Sequence, residues 1–195
     1  MPKKKSSPPV ELDEALAAEF NYIVQTAAQA NEDRARIASF YLIAVGSLVA
    51  AILGTQFLDT QTFTRTAKLL FGGLFILLTL MGTSTIVQLA RLRASWYESM
   101  LAMNQIKDFM MSQNRELKNA FRWTTASLPP KYKTDSISYF QAREAAVISG
   151  TLFGAAAIFV QFAFLPLTTA TWIVASILGI LVAVFHISLY KRLLT

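Results

Sequence analysis

The amino-acid sequence predicts an all-α membrane protein, a four-transmembrane-helix bundle with both termini inside (N-in/C-in) and with helical cytoplasmic extensions. Hydrophobic residues make up 54% of the 195 residues and charged residues 15%. A soluble domain has about 45–50% apolar and about 25% charged residues. In addition, four segments are long and apolar enough to span a bilayer, and the lysines and arginines are concentrated between them in an asymmetric way.

Each predicted span is a run of about 20 apolar residues, which is the length that crosses the hydrocarbon layer of a bilayer. Lipid offers no hydrogen-bonding partners for backbone amides, so each span must be helical. The spans form two transmembrane hairpins, 38–90 and 145–195. The four spans are predicted over 38–58, 69–90, 145–165 and 171–190.

Sixteen of the eighteen Lys and Arg residues lie before span one, between spans two and three, or after span four. The loop 59–68 holds the other two, Arg65 and Lys68. Because cytoplasmic loops are rich in Lys and Arg, we expect both termini and the segment 91–144 in the cytoplasm and the protein in the plasma (inner) membrane. The same rule accounts for the net charge of +6, so we expect no nucleic-acid partner.

The cytoplasmic N-terminal part begins with a basic stretch, 1–9, which we interpret as a flexible tail. Prolines and then acidic residues stand where a signal peptide would need an apolar region. Ser7-Pro8-Pro9 suits a helix start, and we predict an amphipathic helix over 10–37 that continues into span one. Its apolar positions alternate steps of four and three residues, as in a coiled coil. This seam comprises Leu16, Phe20, Ile23, Ala27, Ala30, Arg34, Ile37 and Tyr41.

The helix of span two is predicted to continue past the membrane with the same rhythm. Its seam comprises Leu92, Trp96, Ser99, Met103, Ile106, Met110, Gln113 and Leu117. The two extensions would then form a cytoplasmic helical stalk. A straight helix over 91–123 would be about 50 Å long, which leaves too little chain for an easy return to the membrane.

The return to the membrane therefore requires a bend, which we place at 112–114. A shorter returning helix is predicted over 115–126, followed by a turn at Leu128-Pro129-Pro130. Ser138 and Gln141 have the spacing of a capping box ahead of the helix that enters span three.

Small residues at four-residue spacing predict close helix packing in three of the spans. The rows are Gly46, Ala50 and Gly54; Ala146, Gly150 and Gly154; and Ala175, Gly179 and Ala183. They indicate either packing within one bundle or contact between subunits, which would make the protein a homo-oligomer. Spans one and three also align at an offset of 104 residues, with Gly46 opposite Gly150, which suggests a parallel duplication.

Composition and motifs argue against catalysis. The chain has no cysteine and one histidine, which excludes disulfides, iron–sulfur clusters and cysteine nucleophiles. A zinc site would need an unusual, almost wholly carboxylate ligand set. No P-loop, GxSxG or HExxH motif occurs. We therefore predict no enzyme, no catalytic residue, no metal and no cofactor.

His186 is the only ionisable side chain within a span, and such residues are functional candidates by default. It lies about one turn from Lys191, where we expect water to reach it. We interpret it as a structural or snorkelling side chain rather than a proton relay or metal ligand. The acidic residues Glu32, Asp33 and Glu98 are interpreted as ion-pair partners of nearby arginines. Those arginines are Arg34, Arg36, Arg91 and Arg93.

Two classes of function remain for a protein whose one certain partner is the lipid bilayer. The first is a non-enzymatic scaffold or subunit of a membrane complex, whose stalk binds a cytoplasmic protein. The second is a homo-oligomeric ion channel or pore-forming effector, with Thr79, Thr83 and Gln88 of span two as candidate lining residues. The first class is preferred, because hydroxyl groups in a span usually bond to their own helix.

One resemblance bears on the second class. A short helix ending in the charged patch Asp33-Arg34-Ala35-Arg36, then a two-span hairpin with a helical extension, is similar to the SLATT-type effectors of bacterial defence systems. The resemblance covers residues 31–118 and rests on this layout. It implies pore formation, although the second pair of spans departs from the two-span plan of that family.

Overall fold

The structure is a computed structural model that describes residues 12–56 and 64–195. Within these residues the chain is helical and contains no strand, which confirms the predicted all-α class. The four long helices are α1 (Leu12–Gln56), α2 (Arg65–Gln113), α3 (Ile137–Phe164) and α4 (Thr169–Leu194). Each is long and apolar enough to cross a membrane. The predicted basic tail, the helix start at Ser7, the last two residues of span one (57–58) and residues 59–63 of the loop 59–68 lie outside the described residues.

The chain divides into two compact units, to both of which α1 and α2 contribute. The described part of the first unit comprises residues 12–31 and 95–129. The second unit comprises the described residues of 32–94 together with 130–195, and so contains α3 and α4.

The second unit is a helical bundle in which α1, α2, α3 and α4 all supply core side chains. Phe159 of α3 lies between two aromatic rings of α2, with ring centroids 5.8 Å from Phe71 and 5.5 Å from Phe75. Such tilted ring pairs add about 0.5–1.5 kcal/mol to simple burial. The largest buried side chains of this core include Tyr41, Ile86, Leu89 and Tyr190.

The seam predicted along α1 is its buried face. Every seam residue from Leu16 to Tyr41 is buried or half-buried, while the intervening positions are mostly exposed. Heptad pairing of α1 with α2 stays a prediction.

The segment between α2 and α3 differs from the prediction. The bend at 112–114 is confirmed: α2 ends at Gln113, and the side chain of Asn114 accepts a hydrogen bond from the Glu116 amide at 3.0 Å. The predicted helix over 115–126 is wrong, because the chain forms two short 3₁₀ helices, Arg115–Asn119 and Thr125–Ser127.

The reason is competition from polar side chains of α2. The Asn104 amide donates to the Thr124 carbonyl at 3.1 Å, and an Asp108 carboxylate oxygen accepts from the Thr125 amide at 3.3 Å. In a continuous helix the Thr125 amide would donate to the Phe121 carbonyl, so its bond to Asp108 uses a group that the helix would need. The aromatic and β-branched residues over 121–125 are also moderate helix formers at best.

The entry into α3 is also shifted from the prediction. Leu128 is extended, as expected of a residue before proline, and the hydrogen-bonded turn lies at 133–136 rather than at 128–130. Ser136, not Ser138, caps α3 by accepting from the Tyr139 amide at 3.2 Å. The hydroxyl of Ser138 instead lies 2.8 Å from the Tyr190 hydroxyl, because a buried phenol needs a polar partner.

Candidate functional site

Hydroxyl groups join the helices inside the second unit. The Tyr41 hydroxyl of α1 lies 2.8 Å from the Ser149 hydroxyl of α3, and both residues are buried. On α2, the Thr79 hydroxyl donates to the Phe75 carbonyl at 2.9 Å and lies 3.5 Å from the Ser149 carbonyl. Together with the contacts of Thr83 and His186, described next, they form a polar seam within an otherwise apolar bundle. The polar seam comprises Tyr41, Thr79, Thr83, Ser149 and His186.

His186 lies at the α2–α4 end of this polar seam. Its Nε2 atom is 2.9 Å from the Thr83 hydroxyl, which itself donates to the Thr79 carbonyl at 3.1 Å. The hydroxyl proton is therefore used, and the ring must donate through Nε2–H, a tautomer assigned from the bonding network. The residue is 1% exposed. The expectation that water reaches His186 is wrong, since the helix turn that carries it faces the bundle interior.

The three candidate pore-lining residues do not share a surface. Thr79 and Thr83 face the interior of the bundle and bond to α3 and α4. Gln88 is exposed, and its amide donates to the Ser84 hydroxyl at 3.0 Å. Ser84 and Gln88 line a small pocket of the second unit that also contains Arg36.

The small-residue rows of α3 and α4 pack against each other. A Cβ atom on Gly150 would overlap the Gly179 carbonyl oxygen, and one on Gly154 would lie 2.9 Å from the Ala175 carbonyl oxygen. Ala175 is buried at this contact, and Ala183 is half-buried, with its Cβ atom 3.0 Å from a Cβ on Gly150. Ala146 is buried in the core of the unit. These rows therefore serve packing within this chain.

The row on α1 has a different environment. Gly46, Ala50 and Gly54 are exposed, and a Cβ atom on either glycine would meet no atom within 4 Å. Gly46 and Gly150, which align in the sequence repeat, thus occupy an open surface and a close helix contact respectively.

A cluster that sequence reasoning missed lies near the end of the second unit where α1 enters it; we call it the basic–tyrosine cluster, comprising Arg34, Arg93, Tyr132, Tyr139, Tyr190 and Lys191. The rings of Tyr132 and Tyr139 meet edge to face at 5.9 Å, and each lies within 6.5 Å of Tyr190. Lys191 places its Nζ atom 5.8 Å from the Tyr132 ring centroid. One sequence signal could have indicated this cluster: Arg34 occupies a core-facing position of the α1 seam.

Two of the arginines expected to form ion pairs, Arg34 and Arg36, differ in their surroundings. Asp33 pairs with Arg36 at 3.5 Å on the surface. Arg34, in contrast, is half-buried, and no carboxylate of the described residues lies within ion-pair distance of it. Its position one residue beyond Asp33 turns its side chain toward the bundle rather than toward the acidic residues.

At the opposite end of the second unit, the two cations of the 59–68 loop region rest on aromatic rings. The Arg65 guanidinium lies 4.2 Å from the Phe164 ring centroid, and the Lys68 amine lies 3.5 Å from that of Phe162. Such cation–π contacts join the start of α2 to the end of α3.

The first unit contains an apolar groove of about 650 Å³ between α1 and the end of α2. We call it the α1–α2 groove. Its apolar walls include Leu16, Phe20, Ile106, Met110, Leu117 and Phe121. Of the described side chains that line it, Lys107 alone is charged.

Comparison with known proteins assigns no family to this arrangement. The chain matches no family model, and no curated protein or solved structure is similar to it.

Proposed function

We propose that the protein is a multi-pass protein of the plasma (inner) membrane with both termini and residues 91–144 in the cytoplasm. The support is the four long apolar helices together with the asymmetric placement of Lys and Arg. The outer surface of α4 adds to it. Ile180, Leu181 and Phe185 are exposed, an apolar surface of the kind that soluble monomers rarely present and that lipid would cover.

Within this membrane we propose that the protein is a non-enzymatic scaffold or complex subunit, which binds a cytoplasmic protein through the α1–α2 groove. The single observation that carries this proposal is the groove itself. Its volume of about 650 Å³ is that of a binding pocket rather than a packing defect, and Phe109 and Met110 at its wall are exposed.

The partner segment is expected to be an amphipathic helix. Apolar side chains spaced along one helical face suit a groove between two helices. Lys107 would select a segment that carries a carboxylate beside its apolar anchors, because a cation in an apolar wall gains most from an opposite charge.

Site-specific photocrosslinking in membranes of the native host tests this function. A photoreactive residue at Met110 is expected to give one defined adduct, whereas the same residue at Gln105, which is exposed but outside the groove, gives none. The Ala17→Trp variant, which fills the groove from α1, should remove the Met110 adduct. Equal crosslinking from both positions, or an adduct that Ala17→Trp leaves intact, would contradict the proposal.

The pore remains the alternative, and the open face of α1 is the observation that favours it. The exposed row Gly46, Ala50 and Gly54 offers a contact to a second copy, and Gln88 is available to a space between copies. The native mass of the protein in lipid nanodiscs is the first measurement that distinguishes the pore from the scaffold. A monomer contradicts the pore, whereas a defined oligomer that conducts ions in liposomes, with flux altered by Gln88→Leu, would replace the scaffold function.

A further inference from the structure

The side chain of Arg34 is half-buried, and its guanidinium group lacks an anionic partner among the described residues. Its Nε atom is buried and makes no hydrogen bond, and no carboxylate of the described residues lies within ion-pair distance. Removing a charge from water is costly unless the charge is paired and hydrogen-bonded. An arginine retained at such a position is therefore suited to an anion supplied from outside the chain.

A second guanidinium lies near the first. Arg93 is 6% exposed, and its Nε atom donates to the Lys131 carbonyl at 3.1 Å, which holds the side chain in place. Burial lowers the pKa of Arg93; the nearby Tyr190 opposes this shift, and the charge of Arg34 adds to it. Burial likewise lowers the pKa of Arg34, while the Tyr190 phenol close by favours its charged form. The guanidinium of Arg34, whose Nε atom makes no hydrogen bond, would therefore gain from an anion beside it.

The surroundings of these two arginines suit an oxyanion. The phenol rings of Tyr132, Tyr139 and Tyr190 pack against one another near these arginines, and the Lys191 amine lies over the Tyr132 ring. Guanidinium groups bind phosphate through two parallel hydrogen bonds, and an ammonium group adds charge without a fixed geometry.

The position of the basic–tyrosine cluster indicates where the anion would come from. Arg34 stands four residues before predicted span one, Arg93 three residues after span two, and Lys191 directly after span four. All three therefore lie at the level where the phosphate groups of the cytoplasmic leaflet would be. Anionic lipids attract basic residues at this level.

We propose that Arg34, Arg93 and Lys191, with the adjoining tyrosines, form a binding site for a phosphate group, carried either by an anionic phospholipid or by a soluble phosphate. The lipid source rests on the proposed membrane orientation. The chemistry of recognition is the same for both sources, namely paired guanidinium groups donating to phosphate oxygens.

The test uses the full chain purified in detergent micelles, titrated separately with phosphatidylglycerol, phosphatidylcholine and inorganic phosphate. The readouts are the thermal midpoint of unfolding and the number of lipids retained in native mass spectrometry. Phosphatidylglycerol is expected to raise the midpoint and to remain bound, while phosphatidylcholine does neither. If inorganic phosphate alone gives the full shift, the site stands and its source is a soluble phosphate.

Arg36 provides a matched control on the same helix, because its side chain is 77% exposed and pairs with Asp33. Arg34→Gln should weaken phosphatidylglycerol binding by about tenfold or more, the loss expected for a charged hydrogen bond. Arg36→Gln should leave it unchanged. Arg34→Lys, which keeps the charge and the fold but lacks Nε, should give an intermediate affinity.

An equal loss from Arg36→Gln and Arg34→Gln, or an equal midpoint shift from phosphatidylcholine and phosphatidylglycerol, would overturn the site. The binding is measured on the purified chain without a protein partner. It is therefore independent of the α1–α2 groove, and a failed crosslink at Met110 would leave it standing.

Discussion

The Tyr41 and Ser149 hydroxyl oxygens lie 2.8 Å apart, although the residues are separated by 108 positions in the chain. Gly82 of α2 passes beside this pair. A Cβ atom at Gly82 would overlap the Ser149 hydroxyl and lie 2.6 Å from the Tyr41 hydroxyl oxygen. Three helices thus meet at one buried hydrogen bond, and the absence of a side chain on α2 is what allows it.

Gly82→Ala should therefore destabilise the bundle. The added methyl group displaces the Ser149 hydroxyl and breaks its bond to Tyr41, and we expect a loss of about 1–3 kcal/mol, as for overpacked cores. Unfolding of the purified protein in mixed micelles with increasing SDS measures this change. Gly73→Ala is the control on the same helix, since a Cβ atom there meets nothing within 4 Å. Equal losses from both variants would contradict the three-helix contact.

Gly150→Ala and Gly46→Ala should differ in effect, although the two glycines are equivalent in the sequence repeat. At Gly150 the methyl group meets the Gly179 carbonyl oxygen, and a backbone atom cannot rotate away, so α3 and α4 must separate at a cost of roughly 1–3 kcal/mol. At Gly46 it enters open space. The unfolding assay in micelles checks this, and a neutral Gly150→Ala would show that the α3–α4 contact is looser than described.

Thr83→Val should weaken the contact between α2 and α4. It removes the hydroxyl that lies 2.9 Å from His186 Nε2, and interhelical hydrogen bonds in membrane proteins contribute about 0.6 kcal/mol on average and up to about 1.7. Thr151→Val is the control, because the Thr151 hydroxyl bonds only to the Val147 carbonyl of its own helix. A double-mutant cycle with His186→Phe isolates the pairwise contribution, and additive losses would argue against the bond.

Asn104→Ala should loosen the 3₁₀ segment of the first unit. Without the amide that donates to the Thr124 carbonyl, the amide groups of 125–127 are expected to exchange with deuterium about tenfold faster, corresponding to one lost hydrogen bond. Gln105→Ala, on the exposed neighbouring position, should change nothing. Hydrogen exchange with mass spectrometry measures both variants, and unchanged exchange in Asn104→Ala would mean that other contacts hold the segment.

Single-cysteine variants test the proposed orientation without a background signal, because the chain has no cysteine. Thr64 and Glu116 are both exposed. Intact cells treated with a membrane-impermeant maleimide should label Thr64→Cys, and Glu116→Cys should react only after the membrane is opened. The reverse pattern would invert the topology and remove the cytoplasmic assignment of the α1–α2 groove.

The extent to which sequence predicts this fold varies with the range of the interaction. The buried face of α1 follows from its own spacing, and the end of α2 at Gln113 follows from a run of polar residues. The helix over 115–126 was wrong because Asp108, 17 positions earlier, accepts from the Thr125 amide, which a continuous helix would bond to the Phe121 carbonyl. No local pattern contains that competition.

The basic–tyrosine cluster shows the same limit. Arg34 was visible as an arginine in an apolar seam, but its neighbours come from α2, α4 and the segment before α3, and only their convergence shows an unpartnered charge. In the same way, Ser136 and Ser138 are both plausible caps by type, and the buried Tyr190 hydroxyl decides between them.

The sequence by itself determined where the four apolar helices lie, because hydropathy and charge along one helix need no neighbour to take effect. The tertiary structure decided which small-residue rows pack and which stay open, and which hydroxyl groups pair across helices. In a helix that is apolar on all sides, hydropathy does not indicate which face contacts a neighbouring helix. Its contacts are therefore set by the shapes of the neighbouring helices, as Gly150 against Gly179 and the open surface at Gly46 show.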